Sequence, residues 1–376
     1  MKNFDWNKVK TPSYVVFEEL LIKNLEKLKT VQDKTNAKII LAQKGFSMFY
    51  TYPLISKYLY GATASSLHEA LLGRKIGKEN HIFSPAYKEE EMSEILDIVD
   101  HIVFNSFNQW HKYKNLVKNH KKHISCGMRI NPEYSEIEHE IYNPCAINSR
   151  LGVRLEDFET LDGLEGLHFH TMCEQNSDTL YRTWKEVEKK FSKYFSSIKW
   201  INLGGGHHIT RDDYDLDLLI KTINEIKEKY NLEVYLEPGE AIALNTGFLV
   251  SEVLEIVHNN MDIAILDTSA ACHMPDVLEM PYRPFVLNSG RLGEKKYNYR
   301  FAGPTCLAGD IIGDYSFDKP LEYKQRVIFT DMAHYSMVKN NTFNGINLPS
   351  IVYVEKNGEV KIVKEFGYQD FKSRLS

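Results

Sequence analysis

Short β-rich runs alternate with stretches of helical periodicity over the first two thirds of the chain. The runs are Lys38–Ala42, Tyr60–Ala64, His81–Ser84, His101–Asn105, Ile124–Ile130, Leu164–His170, Trp200–Leu203 and Glu233–Glu237. Between most of them, apolar positions recur every three or four residues, as in Leu67–Ile76, Lys88–Val99, Asp178–Phe195 and Leu216–Tyr230. Gly77 and Asn231 stand where two of these helices should stop. Eight strand–helix alternations predict an α/β fold, a parallel (β/α)8, TIM-like barrel. One stretch fits poorly: Glu133–Asn148 is polar and too long for an ordinary connection.

Beyond residue 245 or so the pattern changes. Phe248–Val257, Asp262–Leu266, Arg283–Leu287, Tyr297–Phe301, Arg326–Thr330 and Ile351–Glu365 read as strands joined by Gly, Pro, Asn and Asp turns. Asn357-Gly358 is a strong two-residue hairpin signal. We expect a mainly antiparallel β domain over 246–376, joined by an N-terminal strand within 11–18, and a barrel over 20–245.

Length agrees with this division, since 376 residues exceed the usual single domain of about 100–200. The net charge of −5 argues against a nucleic-acid binder that relies on bulk positive charge. Five cysteines, at 126, 145, 173, 272 and 306, form no C-x-x-C pair and are odd in number. That suits a reducing compartment. The start of the chain lacks an apolar signal-peptide region, and no run approaches the roughly 18 apolar residues of a membrane helix. The expectation is a cytoplasmic protein with no membrane partner.

The active site of such a barrel lies at the C-terminal ends of its strands. There the sequence places Lys44, then His168-Phe169-His170, then Gly204-Gly205-Gly206, then Glu237-Pro238-Gly239-Glu240. Each has an ordinary reading: a solvated lysine, a satisfied histidine pair, a tight turn, a capping acid. One chemistry uses all four. A lysine amine holds an aldehyde as a Schiff base, and side-chain-free glycines let backbone N–H groups approach a phosphate. A carboxylate keeps a pyridine nitrogen protonated, and an imidazole stacks on the ring. That group is pyridoxal 5′-phosphate.

With those residues in hand, the chain resembles the barrel-type (fold type III, alanine racemase-like) pyridoxal-phosphate decarboxylases related to ornithine and diaminopimelate decarboxylases. Among these it is most similar to the carboxynorspermidine/carboxyspermidine decarboxylases. The stretches that carry the resemblance run from about Thr11 to Gly345. They include Ala42-Gln43-Lys44, Ala64-Ser65-Ser66-Leu67-His68-Glu69, Ser149-Arg150-Leu151-Gly152, Leu167-His168-Phe169-His170, Asn202-Leu203-Gly204-Gly205-Gly206 and Leu236-Glu237-Pro238-Gly239. Gly303-Pro304-Thr305-Cys306, Tyr335 and Thr342-Phe343-Asn344-Gly345 extend it into the second domain. The resemblance implies that Lys44 carries the cofactor, His170 stacks on its ring and Glu237 meets its nitrogen. Gly205, Gly206 and Tyr335 would hold the phosphate. It also implies a homodimer in which Cys306 reaches the partner's site as the general acid.

Two departures from the family pattern bear on substrate. Glu240 stands where better-known members have a phosphate-binding arginine after Glu-Pro-Gly, and Cys173 stands where a phosphate-binding serine is usual. Replacing arginine by glutamate changes the local charge by two units and favours a cation. Asp276, in His273-Met274-Pro275-Asp276, is a second candidate acid, with an ordinary loop acid as the competing reading. Spaced carboxylates suit a small-molecule polyamine substrate, and the similarity to the carboxynorspermidine/carboxyspermidine decarboxylases points the same way. The expected reaction is decarboxylation of carboxynorspermidine or carboxyspermidine in polyamine biosynthesis. Within the class, ornithine is the main alternative, and a racemase or a catalytically dead regulator is less well matched. In a different class, a metal-dependent barrel hydrolase would use His168 and His170 as ligands, with His207 and His208 as a second pair whose ordinary reading is two solvated strand-end histidines.

Overall fold

The alternation of apolar runs and amphipathic stretches closes on itself between Lys23 and Ile242. A computed structural model describes residues 4–376. They form two units, one of Lys23–Ile242 and one of Ala243–Ser376 together with the described residues through Ile22. The first strand, β1 (Ser13–Phe17), belongs to the second unit. The next eight are β2 (Lys38–Ala42), β3 (Gly61–Ala64), β4 (Glu79–Phe83), β5 (His101–Phe104), β6 (Ser125–Arg129), β7 (Gly166–His168), β8 (Trp200–Asn202) and β9 (Glu233–Leu236). These form a closed barrel in chain order, with every neighbouring pair parallel. Lys38 pairs with Tyr235 and Ile39 with Leu236 to complete the ring.

Closure buries both faces of each strand, which is why the runs read as nearly continuous apolar segments. The interior is nonetheless partly polar. Val103, Trp200 and Tyr235 pack with Phe83, and the His81 and His101 rings stack at 4.0 Å. At the strands' N-terminal ends, Lys38 is held by Glu79 at 2.6 Å and Glu233 at 2.9 Å. The outer helices bury one stripe each. In Ser177–Phe191, Leu180, Trp184, Val187 and Phe191 face inward at helical spacing, and Asn176 caps the start by accepting from the Ser177 N–H. Leu216–Tyr230 begins on an Asp215 cap and ends at Asn231, whose φ of 53° is the left-handed stop expected of asparagine.

One unit of the barrel departs from the strand–helix pattern. Between β6 and β7 there is no α-helix, only the 3₁₀ turns Glu140–Tyr142 and Leu155–Asp157. Pro132 and Pro144 interrupt the segment, and Glu133 and Asn148 take positive φ, so it has no helical stripe to bury.

The second unit adds β10 (Gly247–Asn259), β11 (Met261–Leu266), β12 (Tyr297–Ala302), β13 (Ile311–Phe317), β14 (Arg326–Thr330), β15 (Ser350–Val354) and β16 (Val360–Lys364). They order as β13-β12-β11-β10-β1-β15-β16, with β14 also on β10. Two pairs, β1–β15 and β11–β12, are parallel and the others antiparallel. Ser13–Phe17 is fully buried between β10 and β15. Two details differ from the sequence reading. Arg283–Leu287 makes only an isolated bridge, Val286 to Phe329, because Pro284 has no N–H to offer a ladder. Ile311–Phe317 is a strand that the reading passed over; Gly313, at φ 159°, marks a register shift against β12. Among the described residues, no helix is long and apolar enough to cross a membrane.

Candidate active site

The C-terminal ends of β2, β7, β8 and β9 assemble one site from residues far apart in the chain. After β2, Gln43 is fully buried; it donates to the Glu69 carbonyl at 2.8 Å and accepts from the Tyr52 hydroxyl at 3.0 Å. That anchor leaves the next side chain, Lys44, with solvent-accessible surface at the barrel mouth. Gly45 then presses on the β9 turn, where a Cβ would lie 2.9 Å from the Glu240 nitrogen. The barrel walls desolvate Lys44, and the Arg129 guanidinium adds like charge, so its amine pKa falls below the ordinary lysine value despite Glu237 nearby. The neutral amine is the form that attacks an aldehyde, and a lowered pKa favours it.

Glu237 is gripped from two sides. Asn202 Nδ2 donates to Oε1 at 2.8 Å, and His168 Nε2 lies 3.1 Å from Oε2. Burial alone would raise the carboxyl pKa, but His168 and Asn202 outweigh it and bring the group to about 2. It is therefore a fixed anion. His170 lies beside it with Nδ1 accepting from the Gly205 N–H at 2.8 Å. Burial, Lys44 and Arg129 hold the His170 pKa well below the usual value, so the ring is neutral with its proton on Nε2. The strand itself ends at His168, two residues before the sequence reading ended it.

The glycine turn is shaped by close approach. Gly204 and Gly206 have φ of 72° and 82°, and added Cβ atoms would lie 2.3 Å from the Phe169 carbonyl and 1.9 Å from that of Met172. At Gly205 a Cβ would meet the Glu237 carbonyl at 2.4 Å. The Gly205 N–H is already engaged with His170, so this residue contributes space rather than a donor. Glu240 follows at the start of a short helix, Glu240–Ala243, with its carboxylate 3.4 Å from buried His208.

These six barrel residues, Lys44, His170, Gly205, Gly206, Glu237 and Glu240, come together. Cys306, Tyr335 and Asp276 belong to the other unit. There the Cys306 N–H and Sγ both donate to Asn344 Oδ1, at 2.8 and 3.1 Å, leaving the thiol exposed. Tyr335 starts the helix Ser336–Lys339 with φ 45°, an uncommon backbone for a side chain of its size. Asp276 is not an open acid, because Lys339 bridges it to Glu279.

Two residues escaped the sequence reading. Arg129, buried at the end of β6, donates to the His170 carbonyl at 3.1 Å and lies over the Phe83 ring at 4.6 Å. Desolvation pulls its pKa down to about 10. A lone arginine inside a strand run carries no motif, and only barrel closure reveals it. Asp310, also buried, accepts from Ser269 at 2.8 Å and Thr305 at 2.6 Å, and its carboxylate fills the space a Gly303 side chain would need. It sets the loop that presents Cys306.

This set fits pyridoxal phosphate. A depressed lysine amine, a neutral imidazole, a fixed carboxylate and a turn with no room for side chains are the groups that an aldehyde-bearing, phosphorylated pyridinium needs. The zinc reading of His168 and His170 loses ground, since His168 Nε2 faces Glu237 and His170 Nδ1 takes the Gly205 N–H. Among the described residues, the clusters with three potential metal ligands, Glu79-His81-His101 and Glu174-His208-Glu240, contain neither, although the second includes His208 of the other histidine pair.

Comparison with known proteins gives the same answer. The family profile "Pyridoxal-dependent decarboxylase, C-terminal sheet domain" matches residues 49–333. A carboxynorspermidine/carboxyspermidine decarboxylase of Campylobacter jejuni is 43% identical, over 98% of this chain and 99% of its own. A carboxyaminopropylagmatine decarboxylase of Synechocystis is 41% identical, over 100% and 98% respectively. The crystal structure of carboxynorspermidine decarboxylase from Campylobacter jejuni, complexed with norspermidine, superimposes with a TM-score of 0.91 at 42% identity. It covers 97% of this chain and 100% of that one. The chain belongs to the pyridoxal-dependent decarboxylases.

Proposed function

We propose that this enzyme decarboxylates an α-amino acid head borne on a polyamine tail, with carboxynorspermidine, carboxyspermidine or both as substrate. The observation that carries the tail assignment is Glu240. Its carboxylate follows the Glu-Pro-Gly turn, is largely buried beside His208, and puts negative charge where a phosphate ligand would be positive. The names of the Campylobacter jejuni relatives, one of them holding norspermidine, support the same tail.

In this reading Lys44 anchors the cofactor, His170 packs on its ring, and Gly205, Gly206 and Tyr335 surround its phosphate. Glu237 keeps the ring nitrogen protonated. Pyridoxal phosphate supplies the electron sink for the pair left when carbon dioxide departs. Cys306 delivers the proton to the former α-carbon, and its thiol comes from a second copy of the chain in a homodimer. The barrel (20–245) is the cofactor-binding domain, and 246–376 with 11–18 completes the partner's site. A cytoplasmic setting accommodates the five unpaired cysteines.

A second reading has specific support. The Synechocystis relative is named for a tail that ends in agmatine, and a guanidinium also suits a carboxylate. Steady-state decarboxylation of carboxynorspermidine, carboxyspermidine, carboxyaminopropylagmatine and L-ornithine by purified protein decides among them. The proposal expects a polyamine acid to have the highest kcat/KM and Glu240→Gln to raise its KM. Equal or better turnover of L-ornithine, or an unchanged KM in Glu240→Gln, overturns it.

A further inference from the structure

Side chains alternate between the two faces of a strand, so Ser125, Gly127 and Arg129 of β6 share one face. That face is the barrel interior. The Trp200 indole N–H donates to Ser125 Oγ at 2.8 Å, and a Cβ on Gly127 would lie 2.3 Å from the Trp200 ring. Arg129 therefore ends the strand pointing inward, at the level where β7 ends in His168, its register partner. Val103, Trp200 and Tyr235 pack together in the layer beneath.

The Arg129 guanidinium lies 4.6 Å from the centre of the Phe83 ring, and Phe83 in turn stacks on His168, whose Nε2 faces Glu237. Arg129 is only 4% exposed. Its one side-chain hydrogen bond among the described residues runs from Nη2 to the His170 carbonyl at 3.1 Å. Glu237 favours its charge through space, but the hydrogen bonds of that carboxylate go to His168 and Asn202 instead. The arginine is thus a buried cation without a bonded carboxylate among the described residues. Desolvation lowers its pKa to about 10, which still leaves it charged at neutral pH. A buried charge without a counter-ion is strongly unfavourable. Placed in the mouth of a cleft, it is suited to an opposite charge that arrives with a ligand.

We infer that Arg129 binds an anionic oxygen brought to the barrel mouth, either the ring oxygen of the cofactor or the α-carboxylate of the substrate. This rests on the reading of that mouth as the cofactor and substrate site. A cationic tail has no use for a guanidinium, so the partner lies at the head of the substrate or on the cofactor. Five N–H donors in a fixed fork allow Arg129 to hold the His170 carbonyl and still present a donor to that oxygen.

The test compares the full-length wild type with Arg129→Met, Arg129→Gln and Arg129→Lys. Arg129→Gln keeps a donor for the His170 carbonyl and serves as the neutral variant if Arg129→Met does not fold. In the first arm, apoenzyme is titrated with pyridoxal 5′-phosphate and with its 3-O-methyl ether, followed by absorbance. If the partner is the ring oxygen, a neutral variant should bind the cofactor about tenfold or more weakly, with a smaller loss for the ether. In the second arm, holoenzyme kinetics with carboxynorspermidine are set against inhibition by norspermidine, which lacks the carboxylate. If the partner is the carboxylate, KM should rise about tenfold or more while the norspermidine Ki stays within about twofold. L-Ornithine and putrescine make the same comparison, so a failure of the polyamine reading leaves this test intact. Arg129→Lys keeps the charge and should lose less in whichever arm responds. Folded neutral variants with cofactor affinity and KM both within about twofold of wild type overturn the inference. An equal loss for ligands with and without the anionic oxygen overturns it too.

Discussion

Glu237→Gln isolates the charge of one buried carboxylate with almost no change of shape. In the wild type, Glu237 receives hydrogen bonds from Asn202 at 2.8 Å and His168 at 3.1 Å, and together they hold its pKa at about 2. A glutamine keeps the oxygen that faces Asn202 but turns an N–H toward His168 Nε2. His168 must then move its own proton to Nδ1, a buried atom with no partner. The stability loss should be that of a charge-assisted hydrogen bond to a buried group, about 1.5–3 kcal/mol. The catalytic loss should be larger, because a preorganised charge at a site of developing charge is worth roughly 10²–10³ in kcat. The assay is steady-state release of carbon dioxide with the cofactor saturating, beside urea unfolding of the same preparation. Glu237→Asp is the control, since it keeps the charge and withdraws it by one methylene. A Glu237→Gln enzyme with kcat within about twofold of wild type would falsify the claim that this carboxylate governs the ring nitrogen.

Three further outcomes follow from the geometry. Lys44→Ala should lose covalently retained cofactor, seen as loss of absorbance above about 400 nm after gel filtration; a persisting band assigns the attachment elsewhere. In Gly206→Ala the new Cβ would lie 1.9 Å from the Met172 carbonyl at φ 82°. Urea unfolding should show a loss of about 2–4 kcal/mol together with weaker cofactor binding, and a neutral substitution contradicts the tight turn. Acid should destabilise the protein well above the carboxylate range. Burial lowers the pKa of both His207 and His273 to about 4. Such histidines are neutral in the fold and protonate more readily when unfolded, so their contribution is complete above the unfolded pKa of about 6.5 and is lost as pH falls toward 4. Urea midpoints measured from pH 7 to 4.5 should fall steadily, and His273→Asn should flatten part of that slope.

Much of the site was legible because barrel chemistry repeats a simple rule: functional residues sit just past a strand's C-terminal end. Once eight apolar runs were counted, Lys44, His170, the glycine turn, Glu237 and Glu240 could be placed at one mouth without coordinates. The hairpin at Asn357-Gly358 was equally plain, and Gly358 takes φ 87° there. Local signals failed where a residue's meaning depends on distant partners. Arg129 looks like any strand residue until β6 and β7 bring it to the His170 carbonyl. Asp310 has no motif of its own, and the missing helix between β6 and β7 left only a loop of unusual length.

The sequence by itself determined the barrel, the β domain and the chemical class of the site, because periodicity and glycine or proline placement act over a few residues. Tertiary structure alone decided the ionisation of those groups. Against the opposing effect of burial, His168 and Asn202 make Glu237 a permanent anion, and burial beside Arg129 lowers the Lys44 amine. It also decided what each acid meets. In the chain Glu240 and Asp276 are equivalent carboxylates, but folding sets one against a buried imidazole and gives the other a lysine of its own. Desolvation and pairing depend on what the rest of the chain brings alongside, and no local pattern encodes that.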